Sequence, residues 1–255
     1  MRRGSWKIRI FIGLAIVAFA FIQKCSNSEE NPYTGRSQHI NMTTEQEIAI
    51  GLQSAPGVAQ QHGGLYPDER LQAFVDAVGN KLVSSSIAKE TPYQYEFHLL
   101  ADERTINAFA LPGGQCFITY ALFSQLNEAQ LAGVLGHEIG HVIGRHSAER
   151  IADSNFWQTL TMGASVGADM GGLVQGIGQN TLLTNGRDDE LESDELGVLL
   201  MLQTGYDPYE MIKVMQILKD AAGPNRVPEF QSTHPDPENR IDKIKAAIEK
   251  YKGQN

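Results

Sequence analysis

The chain has 255 residues, 42% hydrophobic and 20% charged, which is enough for one sizeable domain with extensions and a full core. Its formal charge is −9; five basic and no acidic residues fall within the first 24, so the remainder carries −14, and no basic groove for nucleic acid is present. The two cysteines, Cys25 and Cys116, exclude a disulfide framework and lack the paired spacing of a zinc ribbon.

The N-terminus reads as a targeting segment. A basic start, MRRGSWKIR, leads into an uncharged apolar run over residues 10–22. Those 13 residues are short for a membrane span and normal for a signal-peptide core. Ala18-Phe19-Ala20 offers an A-x-A cleavage pattern. Cys25 is a candidate for lipid attachment, although Lys24 stands where a bacterial lipobox has a small residue. Residues 1–24 are therefore expected to be a signal peptide or an N-terminal membrane anchor. Export to the periplasm follows, with cleavage, lipidation and uncleaved anchoring left open.

Residues 25–66 are expected to form a polar, turn-rich arm and a first helix, and residues 67–255 the main domain. Thr44 and Glu47 predict a capping box for that first helix. Leu71, Phe74, Val75, Val78 and Leu82 recur at helical spacing and predict a second helix. YQYEFHLLA alternates and reads as a strand; two further strand-like runs flank the turn Pro112-Gly113-Gly114. From Asn127 the pattern is helical through HSAERIA. The Gly- and Ala-rich residues 163–178 predict a closely packed small-residue helix rather than a mobile cover. Further helices are expected near 187–204, over YEMIKVMQILKDA and over RIDKIKAAIEKY. A loop with Pro224, Pro228, Pro235 and Pro237 separates the last two.

Chemistry concentrates in GHEIGHVIGRH, residues 136–146. Residues four apart on a helix share a face, so His137 and His141 can present imidazole nitrogens to one metal ion. Glu138 lies about 100° around the helix from His137, within reach of a metal-activated water without binding the metal. It is the candidate general base, taking the proton of that water and delivering it to a leaving amine. Two histidines do not complete a zinc site. His146 is five residues past His141, on the wrong face, and the HExxHxxGxxH spacing of some zinc proteases would require His at position 147, which is Ser147.

The segment RDDELESDELG supplies carboxylates instead. Glu190 and Asp194 are four apart on one helix face, as needed if one binds metal and the other steadies a ligand histidine. Glu192 faces the opposite side, and Asp189, Glu192 and Glu195 fit a solvated acidic face. His39, His62, His98 and His146 read as surface residues.

These motifs resemble those of the HtpX/BepA-type zinc peptidase family, which includes the CAAX prenyl endopeptidases and the Oma-type mitochondrial proteases. The resemblance rests on HExxH followed by ExxxD, matched by His137, Glu138, His141, Glu190 and Asp194. It extends to NPYTGR, NAFALPGG, Arg187 and THPDPENRI, so it runs from about residue 31 to 250; Ser193 replaces the usual Ala. It implies Glu190 as the third ligand of a single zinc ion and Asp194 as the support of a ligand histidine. It places His234 in the active site, polarising the scissile carbonyl or occupying the open metal position. Arg240 is to anchor that loop or stabilise the oxyanion. Asn107, Ala108, Phe109 and Ala110 are the candidate edge strand for an extended peptide.

The implied fold is α+β and zincin-like, mostly helical with a small sheet. The implied function is a zinc-dependent endopeptidase acting on exported or membrane-associated, misfolded polypeptides in the cell envelope, outer-membrane proteins among them. The alternative is a periplasmic chaperone or adaptor of outer-membrane protein assembly with a quiet or latent metal site.

Overall fold

The computed structural model describes residues 5–221, 234 and 239–253. They fall into two compact units, one of residues 1–42 with 146–186 and the other of residues 43–145 with 187–255. The boundaries expected at 24 and 66 do not coincide with these units. The four-proline loop lies outside the described residues.

In the first unit, helix α1 (Ser5–Ser26) is followed by a hairpin of β1 (Ser28–Glu30) and β2 (Ser37–His39). This hairpin replaces the loose arm expected from composition. Its turn is held by Asn31, whose Oδ1 accepts from Tyr33 and Thr34 N–H while its side-chain amide donates to Gln38. Such an Asx turn is a local device that polar composition alone does not distinguish from a linker. Helix α6 (His146–Ala168) and the first part of α7 (Gly171–Gln203) complete the unit. His39 and His146, expected at the surface, are buried. Among the described residues α1 is the one helix long and apolar enough to cross a membrane.

The second unit is α+β and mostly helical. Helix α2 (Thr44–Gln61) is capped one residue earlier than expected, by Thr43 with Gln46 closing the box. Helix α3 (Glu69–Ser84) covers a three-stranded sheet of β3 (Glu96–Leu100), β4 (Ala108–Ala110) and β5 (Gln115–Thr119). Strand order is β3-β5-β4, with β3 parallel and β4 antiparallel to β5, so β4 is an edge. The short helix α4 (Tyr120–Phe123) leads to α5 (Glu128–Ile143).

Asn127 and Gln130 form a capping box at the start of α5, and every residue from Gln130 to Ile143 is buried. Leu131, Leu135, Ile139 and Ile143 recur at three-to-four spacing and are fully enclosed with Leu99, Phe117 and Ile118 of the sheet. Burying four such side chains contributes roughly 1.5–3 kcal/mol each, which offsets the poor helix propensity of three internal glycines. The helix does not run on through HSAERIA as expected. It stops at Gly144, and Arg145 takes a left-handed φ of 56°. That conformation is held by the buried Glu47, whose Oε1 accepts from Arg145 Nε at 2.8 Å and Nη2 at 2.5 Å. Helices α8 (Glu210–Ala221) and α9 (Arg240–Lys252) follow α7.

Candidate metal centre

Three segments of the second unit converge on one buried point. Helix α5 brings His137 and His141 one turn apart, α7 brings Glu190, and His234 enters from the segment before α9. One ligand-capable atom from each of these four buried residues lies within 4.8 Å of the others. His137 Nε2 is 3.1 Å from His141 Nε2, 3.2 Å from Glu190 Oε2 and 3.3 Å from His234 Nδ1. Glu190 Oε1 is 3.3 Å from His141 Nε2 and 3.1 Å from His234 Nδ1. Ligand atoms about 2.0–2.1 Å from a tetrahedral zinc ion stand about 3.3 Å from each other. The donor set and its spacing therefore fit zinc.

Charge supports the same fit. Glu138, Glu190 and Asp194 face one guanidinium, Arg240, and all four are buried. Once a metal displaces the imidazole protons, three ionised carboxylates against one guanidinium leave a formal −2, which a divalent cation neutralises. Burial opposes a charge on His137, but Asp194 and Glu190 outweigh it and push its pKa up to about 9. Burial likewise favours neutral Glu190, yet His234 and His141 hold its carboxyl well below the usual range.

Tautomers follow from the outer partners. Asp194 Oδ1 lies 2.9 Å from His137 Nδ1, so Nδ1–H donates outward and Nε2 keeps its lone pair toward the cluster. His234 Nε2 donates to the Ala108 carbonyl of β4 at 3.1 Å, which leaves Nδ1 as the lone-pair nitrogen facing Glu190. Arg240 opens α9 directly after Asn239, which is left-handed at φ 67°. It commits Nε and Nη2 to Asp194 at 2.6 and 2.9 Å, so it fixes the acceptor that fixes His137. The contact it makes is with Asp194, a partner that neither of the two roles expected for Arg240 named.

Glu138 is completely buried, and among the described residues neither carboxylate oxygen finds a hydrogen-bond donor. His234 Nε2 lies 3.6 Å from Oε1. Burial raises the Glu138 pKa, with His234 and His137 partly offsetting it. A buried carboxylate without donors is costly unless a ligand or substrate supplies them.

The α5–α7 approach that brings Glu190 to the histidines depends on Gly140. A Cβ there would lie 2.8 Å from both Ser193 O and Ser193 Oγ. Ser193 Oγ donates to the His137 carbonyl at 2.6 Å, satisfying a backbone acceptor in the helix that carries His137 and His141. Ser193, set down from sequence as a mild replacement for Ala, thus makes a contact to the His137 backbone that the motif did not reveal. Asp189, expected to be solvated, is buried, whereas Glu195 lies near the surface on Lys250 and Tyr251.

A helix bearing two histidines and a glutamate, a second helix supplying a carboxylate, and a small sheet whose edge strand β4 lies beside them define a zincin-like metallopeptidase fold. The model of peptidase family M48 matches residues 69–248, and the chain belongs to that family. It is 31% identical over 247 residues to the beta-barrel assembly-enhancing protease of Escherichia coli K12, covering 90% of this chain and 48% of that protein. The beta-barrel assembly-enhancing protease of Yersinia pestis is 30% identical over 225 residues, covering 82% of this chain and 45% of its own length. The mitochondrial metalloendopeptidase OMA1 of Schizosaccharomyces pombe is 28% identical over 236 residues, with 90% and 69% covered. The chain thus spans about half the length of the bacterial relatives it matches.

Proposed function

We propose that the protein is a zinc-dependent endopeptidase of the cell envelope that hydrolyses misfolded exported polypeptides, outer-membrane β-barrel proteins among them. The observation that carries this reading is Glu138, a buried carboxylate without a hydrogen-bond donor, beside donor atoms spaced as tetrahedral zinc requires. His137, His141 and Glu190 would hold the metal. Bound there, zinc supplies Lewis acidity and brings the pKa of a water near neutrality.

The chain's own residues do the rest. Glu138, with its proton affinity raised by burial, accepts a proton at its carboxylate and returns it to the leaving amine. Asp194 keeps His137 in the tautomer that faces the metal, and Arg240 keeps Asp194 in place. Strand β4, with Asn107 before it, offers an edge on which an extended polypeptide can add as a further strand. The substrate class comes from the names of the bacterial relatives, and periplasmic placement from the basic-then-apolar N-terminus.

One observation supports a second, compatible reading, a latent state. His234 Nδ1 lies at ligand spacing from His137 and Glu190, while its Nε2 holds the Ala108 carbonyl of β4. In that position His234 fills the fourth ligand place and engages the strand on which substrate would lie. Structural zinc sites are closed by four ligands, whereas catalytic ones keep an open position.

The test compares wild type, Glu138→Gln and His234→Ala at equal zinc content on an unfolded outer-membrane β-barrel protein. General acid–base catalysis contributes about 10²–10⁴-fold, and Glu138→Gln should lose that much. Equal cleavage by wild type and Glu138→Gln sinks the mechanism. Absence of cleavage by wild type and by His234→Ala alike would favour the chaperone or adaptor alternative.

A further inference from the structure

In the first unit, α1 and α6 run antiparallel in one continuous register. Arg9 donates from Nε to the Val166 carbonyl at 3.1 Å and from Nη2 to Asp169 Oδ1 at 2.8 Å. One turn on, Gly13 lies directly against α6, where an added Cβ would be 2.7 Å from Gly163 O and from Gly167 Cα. Val17 then meets Gly163, and Ala20 is enclosed with Phe156 and Leu160. Finally Lys24 Nζ donates to Asp153 Oδ1 at 2.8 Å and lies 4.5 Å over the Phe156 ring. As α1 advances from 9 to 24, α6 recedes from 169 to 153, turn for turn. Small residues that admit close backbone approach are the usual means by which helices associate in lipid.

The register conflicts with removal of α1. The A-x-A pattern expected to direct cleavage ends at Ala20, which is 2% exposed in mid-helix and part of an apolar cluster. Cutting there would strip Gly13, Val17 and Arg9 from α6 and expose the apolar residues they cover.

The outer face of α1 is apolar, with Ile8, Phe11, Leu14, Phe19 and Ile22 all at least half exposed. The helix is 22 residues long, roughly 33 Å, against about 30 Å of bilayer hydrocarbon. Its uncharged core, residues 10–22, accounts for 13 of those residues. Past Asp153 the facing segment is also poor in charge: from 154 to 186 the sole charged residue is Asp169, and it is paired with Arg9. The two ion pairs, Arg9–Asp169 and Lys24–Asp153, bracket an uncharged slab of about 23 Å, with cations at both ends of α1 placed to reach headgroups.

We propose that α1 is retained after export, packed on α6 in this register, and that the exposed apolar face of α1 is covered by bilayer lipid. The membranes of cells expressing the full chain provide the test. The intact mass should begin at the N-terminal methionine or the residue after it, and the chain should resist alkaline carbonate extraction.

The register is tested by Val17→Cys with Gly163→Cys in a Cys25→Ser background, oxidised in the membrane. Val17 Cγ2 lies 2.9 Å from a Cβ built on Gly163, within the reach of a disulfide. Linked peptides should exceed by at least ~10-fold those of the control pair Phe11→Cys/Gly163→Cys, whose first residue points away. A mature chain starting beyond Ala20, release by carbonate, or an intact chain with no excess linkage would each overturn the proposal. The first two measurements use the unmodified protein and stand even if the cysteine pair disturbs folding.

Discussion

Asp194→Asn probes the buried cluster at its most connected point. The substitution keeps shape and removes one negative charge lying 2.9 Å from His137 Nδ1 and 2.6 Å from Arg240 Nε. Burial disfavours the charged form of His137, and Asp194 is foremost among the groups that outweigh it, so the pKa should fall from about 9 toward the ordinary 6.5. That gap corresponds to about 3 kcal/mol of stability in the chelator-treated protein. Because the folded pKa is raised, the contribution is fully present below pH 6.5 and is lost as pH rises through 9. Urea unfolding of chelator-treated wild type should therefore weaken by about 3 kcal/mol across that window. Asp194→Asn should start lower and give a flatter profile. Loaded with zinc, it should bind the metal about 10–100-fold more weakly, measured by chelator competition, because His137 loses the acceptor that fixes its ring. A flat wild-type profile, or a variant with unchanged slope and affinity, would refute the assignment.

Zinc and the His137 proton compete for one nitrogen, so in the same competition assay wild-type affinity should climb with pH up to about 9 and then level off. Gly140→Ala would set a Cβ 2.8 Å from Ser193 O; it should leave helical circular dichroism intact while lowering zinc content of the purified protein. Glu47→Ala leaves Arg145 without its buried carboxylate partner and should cost about 3–5 kcal/mol in denaturant unfolding, with Glu47→Gln recovering part of it.

Legibility in sequence followed the distance over which each feature is determined. His137, Glu138 and His141 were readable because helical spacing alone sets their faces. Glu190 was reached less directly: several carboxylates compete in RDDELESDELG, and its four-residue spacing from Asp194 together with the family resemblance picked it out, while the close α5–α7 approach at Gly140 shows only in three dimensions. Arg240 could be placed near the site but not oriented, since its bidentate hold on Asp194 depends on where α9 begins. The burial of His39 and His146 and the hairpin around Asn31 escaped because polar residues look alike in sequence whether they face water or another chain segment. The end of α5 was missed for a related reason: the apolar pattern continues past Gly144, and the left-handed turn at Arg145 depends on Glu47, nearly a hundred positions earlier.

The four converging side chains are also separated in the order of synthesis. The two histidines of α5 are made first, Glu190 follows 49 residues after His141, and His234 arrives 44 residues after that. Between the first pair and the carboxylate lie all of α6 and the opening half of α7. A nascent or truncated chain that stops before residue 190 therefore carries two imidazoles and a buried glutamate with nothing to complete them. The hydrolytic centre can exist only once the helix hairpin between its halves has been translated. The order of the gene delays the reactive site until most of the protein that must contain it is already built.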